Sequence, residues 1–199
     1  MYDIDDLKNL VDMAAGGRSP ADLLITNAKL VDVLTGEIRE TDVSVGGGKI
    51  LGFSHPEAVK VVDARGAYLL PGLIDAHIHI ESSMVSPARF AGLVLPHGTT
   101  SVVADPHEIA NVHGLEGIRY MLENGRHLPL NIFIALPSCV PAMPFEDSGA
   151  VLSAEELEEL IDDPKVTGIG EMMNFPGVVS GDYDVLAKIQ LGTSHGKIV

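Results

Sequence analysis

The spacing of apolar residues changes twice along this chain. Ile4, Leu7, Leu10, Val11 and Ala14 recur at helical intervals behind Asp3, whose short carboxylate suits an N-cap, and Gly16-Gly17 interrupts the pattern. This spacing predicts a short leading helix. From Ala21 to about Val62 the apolar residues fall into short β-type runs, DLLITNAKLVDV, TDVSV and KILGF, broken at Thr35-Gly36 and at Gly46-Gly47-Gly48. These runs predict a meander of antiparallel strands. A segment of about 40 residues buries too little surface to stand alone, so it is expected to pack against something else.

Beyond Pro71 the pattern alternates between short apolar strands and longer helical stretches. Strands are predicted over Leu73 to Ile80, Thr100 to Ala104, Asn131 to Leu136 and Val166 to Ile169. Helices are predicted near Pro87 to Leu95, Gly114 to Asn124 and Ala154 to Ile161, the last opened by a Ser153/Glu156 capping box. A final helix is expected over Asp182 to Gln190, with Gly192 as its stop. Four repeated β-α units imply a parallel sheet with helices packed outside it. The last residues, HGKIV, read as the opening of a fifth strand. The expected organisation is a helix and small β domain over 1–70 and an α/β unit over 71–199.

The stretch PGLIDAHIHIESSM opens that α/β unit and concentrates polar chemistry inside an apolar run. On a strand, alternate side chains share a face, so His77, His79 and Glu81 are expected together, with Ile78 and Ile80 opposite. Two imidazoles at that spacing can converge on one ion, and neutral imidazole suits zinc, iron or manganese. A His-x-His pair alone is a weak signal, but this one falls at the C-terminal end of the first strand of a β-α series, where barrels of this class place their chemistry. The next strand ends in VVADPHEIAN, giving Asp105, His107 and Glu108 in a proline-broken loop, and the fourth leads into GEMMNFPG with Glu171. These are the candidate site residues.

Composition narrows the function classes. The formal net charge of −15 and pI near 4.7 exclude a basic footprint for nucleic acid or an anionic membrane surface. One cysteine, Cys139, rules out an internal disulfide framework and every Cys-x-x-Cys zinc site, and is read as a small buried hydrophobe. The acidic N-terminus lacks the pattern of a secretory signal, and no run approaches the ~18 apolar residues of a membrane span. A cytoplasmic protein is expected.

Together, LLPGLIDAHIHIESSMVSP, LPHGTTSVVADPHEIANV, LPLNIFIALPSCVPA and GEMMNFPGV resemble the bacterial adenine deaminases, within the amidohydrolase superfamily. The Pro-Gly-Leu-Ile-Asp-x-His-x-His start is shared across the superfamily, whereas HIESSM, DPHEIANV and LPSCVPA are narrower. The resemblance implies a (β/α)8 barrel joined to a small N-terminal β domain. At the barrel's rim it implies two divalent ions, manganese or ferrous iron, with His77 and His79 as ligands and Glu171 as the carboxylate that bridges them. The implied reaction is hydrolytic deamination of adenine to hypoxanthine and ammonia, and a homo-oligomer is implied at full length.

Within that reading Glu81 is a candidate for proton transfer or for orienting a histidine, and Asp105, His107 and Glu108 for the substrate pocket or the surround of the ligands. A closed barrel of this type takes about 250 residues, so four strands predict a partial barrel and an incomplete fragment, inactive alone. Two alternatives stand beside it: an amidohydrolase acting on another cyclic amide or an N-acetyl sugar, and a non-catalytic remnant or complementation fragment. His97 is read as a helix-end residue, His55, His127 and His195 as surface residues, and His113 stays open.

Overall fold

The computed structural model describes residues 3–15, 18–53, 57–143 and 145–199, and the chain divides into two compact units, the first ending at Pro71 and the second covering Gly72–Val199. In the first unit, α1 (Ile4–Ala14) begins where the Asp3 carboxylate accepts the Asp6 N–H at 2.8 Å. The Gly16-Gly17 stop and His55 lie outside the described residues. Among the described residues the strands are β1 (Ala21–Val31), β2 (Ile38–Gly46), β3 (Lys49–Gly52), β4 (Ala58–Asp63) and β5 (Tyr68–Leu69).

Their sheet is not the simple antiparallel meander the sequence suggested. β1 sits between β2 and β4, and only the β1–β2 and β2–β3 pairs are antiparallel. β4 runs parallel to the first half of β1, and β5 runs parallel to its second half. The reason lies in β1 itself. A register shift between Ile25 and Ala28 breaks an 11-residue strand into two segments, each of which takes its own parallel partner.

The second unit is a four-stranded parallel sheet in the order β6 (Leu73–Ile78), β7 (Thr99–Ala104), β8 (Asn131–Leu136), β9 (Val166–Ile169). Its helices are α2 (Pro87–Val94), α3 (His107–Gly125), α4 (Ala154–Ile161), α5 (Phe175–Ser180) and α6 (Tyr183–Ser194). The core joins Val102 and Ala104 of β7 and Ile132, Ile134 and Leu136 of β8 to Ile118 and Met121 of α3 and Leu157 and Ile161 of α4. Both halves of the Ser153/Glu156 capping box form. Beyond β9, Ile198 makes a parallel bridge to Gly168, where a fifth strand would begin.

Three expectations are corrected here. β6 ends at Ile78 rather than Ile80, because Ile80 adopts a helical backbone and Glu81–Ser83 form a 3-10 turn. Gly192 does not stop α6; it is buried inside a helix that runs on to Ser194. The helix expected from Gly114 instead begins at His107, and Gly114 is a kink within it (φ 58°, ψ −141°). Among the described residues, no helix is long and apolar enough to cross a membrane.

Candidate metal centre

The C-terminal ends of β6, β7 and β9 converge on one cluster. His77 is the penultimate residue of β6, and His79 follows the strand's end. Asp105 follows β7 directly, His107 and Glu108 open α3, and Glu171 lies two residues beyond β9. A parallel sheet brings these strand ends to the same side, which is why residues nearly a hundred positions apart meet.

The Nε2 atoms of His77 and His79 lie 3.6 and 3.3 Å from Oε1 of Glu171. Donors about 2.0–2.2 Å from one tetrahedral ion stand about 3.3–3.6 Å from each other, so these separations fit a shared cation. The protonation of His79 follows from its other nitrogen. Nδ1 lies 2.8 Å from the carbonyl oxygen of Asp105, which can only accept, so Nδ1 carries hydrogen and neutral His79 presents a bare Nε2 toward Glu171. The His79 ring stands edge-on to both His77 and His107, with centroids 4.9 and 4.5 Å away.

Around this triangle the carboxylates are crowded and partly unpaired. Glu81 does not share a strand face with the histidines; from the 3-10 turn its Oε1 accepts the Ile109 N–H at 3.3 Å. Glu108 accepts the Ser82 hydroxyl at 2.8 Å, and its other oxygen is 3.5 Å from His79 Nδ1. Asp105 is 1% exposed, with Oδ1 3.5 Å from His107 Nδ1. Glu81 Oε2, Asp105 Oδ1, His107 Nδ1 and Glu108 Oε2 are all buried without a hydrogen-bond partner. Burying acceptors unpaired is unfavourable, and a cation beside them relieves it. The donor set therefore fits divalent metal, and three overlapping groups of these residues each bring their ligand atoms within 4.8 Å of one another.

The electrostatics agree with that crowding. Burial raises the pKa of Glu81, against the hydrogen bond it accepts from Ile109. Burial likewise raises Asp105, opposed by the charge of His107 and the N–H of Glu171. For His79 burial acts downward, but the Asp105 carbonyl and the carboxylates of Glu108, Asp105 and Glu171 outweigh it, so its pKa is raised.

The end of β8 adds two residues that the sequence did not mark as part of the site. The Ser138 hydroxyl donates to the carbonyl of Glu171, and Cys139 Sγ accepts the Asn174 N–H at 3.2 Å. Cys139 is buried, as its reading as a small hydrophobe requires, yet its sulfur helps hold the 171–174 loop. The signal was the LPSCVPA stretch, which spacing alone does not connect to Glu171. His97 ends a 3-10 turn, and His195 caps α6 with its ring 2.9 Å from the Leu191 carbonyl oxygen.

The amidohydrolase family pattern matches residues 68–199, which include every ligand candidate. The chain belongs to the amidohydrolase family. Among similar sequences, this amidohydrolase is 62% identical over 193 residues to an adenine deaminase of Nitratidesulfovibrio vulgaris (strain DP4), covering 97% of the chain and 33% of that relative. It is 50% identical over 188 residues to the adenine deaminase of Halalkalibacterium halodurans, covering 93% of the chain and 32% of the relative. The chain thus spans about a third of the length of the curated relatives it matches.

Among solved structures, an N-acyl-D-glutamate deacylase from Bordetella bronchiseptica, complexed with zinc, aligns at a TM-score of 0.57 with 20% identity over 90% of this chain and 44% of that one. The atrazine chlorohydrolase TrzN of Arthrobacter aurescens, also complexed with zinc, aligns at 0.53 with 19% identity over 71% of this chain and 43% of that one. These likenesses carry the fold.

Proposed function

We propose that this chain supplies the N-terminal part of an adenine deaminase active site, in which water replaces the exocyclic amine of adenine to give hypoxanthine and ammonia. The observation that carries this reading is the 62% identity to an adenine deaminase across nearly the whole chain. The ligand triangle supports it. His77, His79 and Glu171 would hold divalent metal, manganese or ferrous iron. When bound, such ions supply the Lewis acidity that makes water nucleophilic at neutral pH.

The chain's own residues have separable tasks in this reading. The Asp105 carbonyl keeps His79 in the tautomer that offers Nε2. Glu81, anchored by Ile109 through one oxygen and unpartnered at the other, is the group we assign to carry a proton toward the departing nitrogen. His107 and Glu108, both beside His79, are assigned to the surround of the ligands. Water oxygen adds to the ring carbon that bears the amine, giving a tetrahedral centre and releasing a proton; the C–N bond then breaks as the nitrogen takes up a proton and leaves as ammonia. Adenine is a small neutral ligand, which an acidic protein accommodates without a basic surface.

The experiment is a fusion. This chain, joined at its end to the remaining two thirds of the Nitratidesulfovibrio vulgaris relative, is expected to convert adenine to hypoxanthine, while the 199-residue chain alone is expected not to. Glu81→Gln in the fusion is expected to lower kcat by about 100-fold or more and to leave metal content unchanged. A fusion that hydrolyses N-acyl amino acids or cyclic amides and ignores adenine would overturn the reading.

A further inference from the structure

Asp105 is unusual among the clustered residues because its backbone N–H, its backbone C=O and one carboxylate oxygen, Oδ2, are all committed, while Oδ1 alone has no hydrogen-bond partner. Its N–H donates at 3.0 Å to the carbonyl of Ile78, the last residue of β6, between His77 and His79. Its C=O accepts from His79 Nδ1 at 2.8 Å. Its carboxylate Oδ2 accepts the N–H of Glu171 at 3.1 Å, from a segment 66 residues away. One residue thus touches the β6 end at Ile78 and at the His79 ring, and the segment after β9 at the backbone of Glu171. At 1% exposure its carboxylate has no surface to offer a substrate.

The residue before Glu171 carries the complementary feature. A Cβ at Gly170 would overlap Oδ2 of Asp105 and lie 2.7 Å from its Cγ, so the carboxylate reaches the Glu171 N–H only because position 170 has no side chain. A buried carboxylate is unfavourable unless bonded, and an apolar residue would pack there at less cost. The acid is explained by the bond it makes to the backbone of Glu171.

We propose that Asp105 is the positioning residue of this centre, locking His77, His79 and Glu171 into one register through the ends of β6 and β9, and that Gly170 is its obligate partner. This rests on the metal reading above, and it assigns Asp105 an orienting task in place of contact with substrate. The same logic separates it from His107 and Glu108, whose side chains make no bond to the backbone of a ligand residue.

The test uses the 199-residue chain, with cobalt(II) as the metal probe and amide hydrogen exchange as a readout that needs no metal. Asp105→Ala is expected to weaken cobalt binding by about 10- to 100-fold and to unprotect the Glu171 amide while β7 and β8 stay protected. Asp105→Asn retains an acceptor oxygen and is expected to return both values close to the parent's. Gly170→Ala is expected to reproduce Asp105→Ala, and the double variant to be no worse than either single one, because both remove the same contact.

Unchanged cobalt affinity and unchanged Glu171 exchange in Asp105→Ala would overturn the proposal, as would additive losses in the double variant. If the parent takes up no cobalt, the metal reading falls, and Glu171 exchange alone then decides the positioning role. If Asp105→Ala loses protection throughout β7 and β8, the contrast between Asp105→Asn and Gly170→Ala decides it.

Discussion

Asn27 stands at φ 54° in the irregular stretch of β1, a left-handed backbone that asparagine tolerates better than most residues. Its backbone N–H donates to Asp42 at 3.0 Å and its side-chain amide to Asp63 at 2.9 Å. The Asn27 amide, followed by the Arg65 N–H, holds the Asp63 carboxyl below its ordinary value of 3.8. A depressed acid contributes stability above its unfolded pKa, and that stability disappears as pH falls through the folded pKa. Asn27→Gly keeps the backbone angle and removes the amide. It is expected to destabilise the chain near neutral pH, with a gap to the parent that narrows as pH drops below 3.8. Denaturant titrations across that range check it, and a gap independent of pH would rule the Asn27–Asp63 bond out as the cause. At this scale the ligand candidates were legible because alternation and strand-end position are local signals. What Asp105 does was not, since its partner Glu171 is 66 residues distant and the bond is to backbone, which sequence does not display.

Among elements, α3 shows where periodicity misleads. The apolar pattern after Gly114 is helical, so the glycine reads as a start, yet the helix passes through it from His107 with a single non-helical residue. At φ 58° and ψ −141° that residue occupies a region open essentially to glycine. A Cβ there would also approach Ala150 Cβ to 3.2 Å. Gly114→Ala is expected to cost about 1–3 kcal/mol, measured as a shift in denaturant midpoint at constant slope. Gly92 supplies the control: it lies in α2 with open space around its missing Cβ. Gly92→Ala is expected to stabilise by about 0.4–1 kcal/mol, so equal effects at the two sites would refute the backbone argument. β8, β9 and α4 lie at their expected bounds because compact apolar runs mark the two strands and a capping box marks the start of α4. α5 was missed because six residues carry too few turns for a period to register. The parallel pairing of β4 and β5 escaped for a related reason: strand propensity says where a strand lies but not which neighbour it takes.

For the molecule as a whole, the β-α rhythm was enough to give four parallel strands in sequential order, since such crossovers are short and of one hand. It also leaves the second unit with two sheet edges. At one edge Leu73 and Ile74 of β6 are 53% and 69% exposed, and beyond β9 Ile198 is 75% exposed while holding a single bridge. Unpaired strand edges with apolar side chains recruit other chains unless blunted by charge. Against this stands the net charge of −15, whose repulsion is long-ranged at low ionic strength and shortens to about 8 Å near physiological salt. Two forces of different range predict a particular behaviour. The purified chain is expected to remain near 21.1 kDa in dilute, low-salt solution, and to associate increasingly as salt screens the charge and leaves the edges' short-range attraction. Ile74→Lys, which places charge on the β6 edge, is expected to suppress that association without changing the thermal midpoint measured in dilute solution. Light scattering across a salt series decides the matter. Association that weakens with salt would mean that charge pairing, rather than the open apolar edge, brings the copies together.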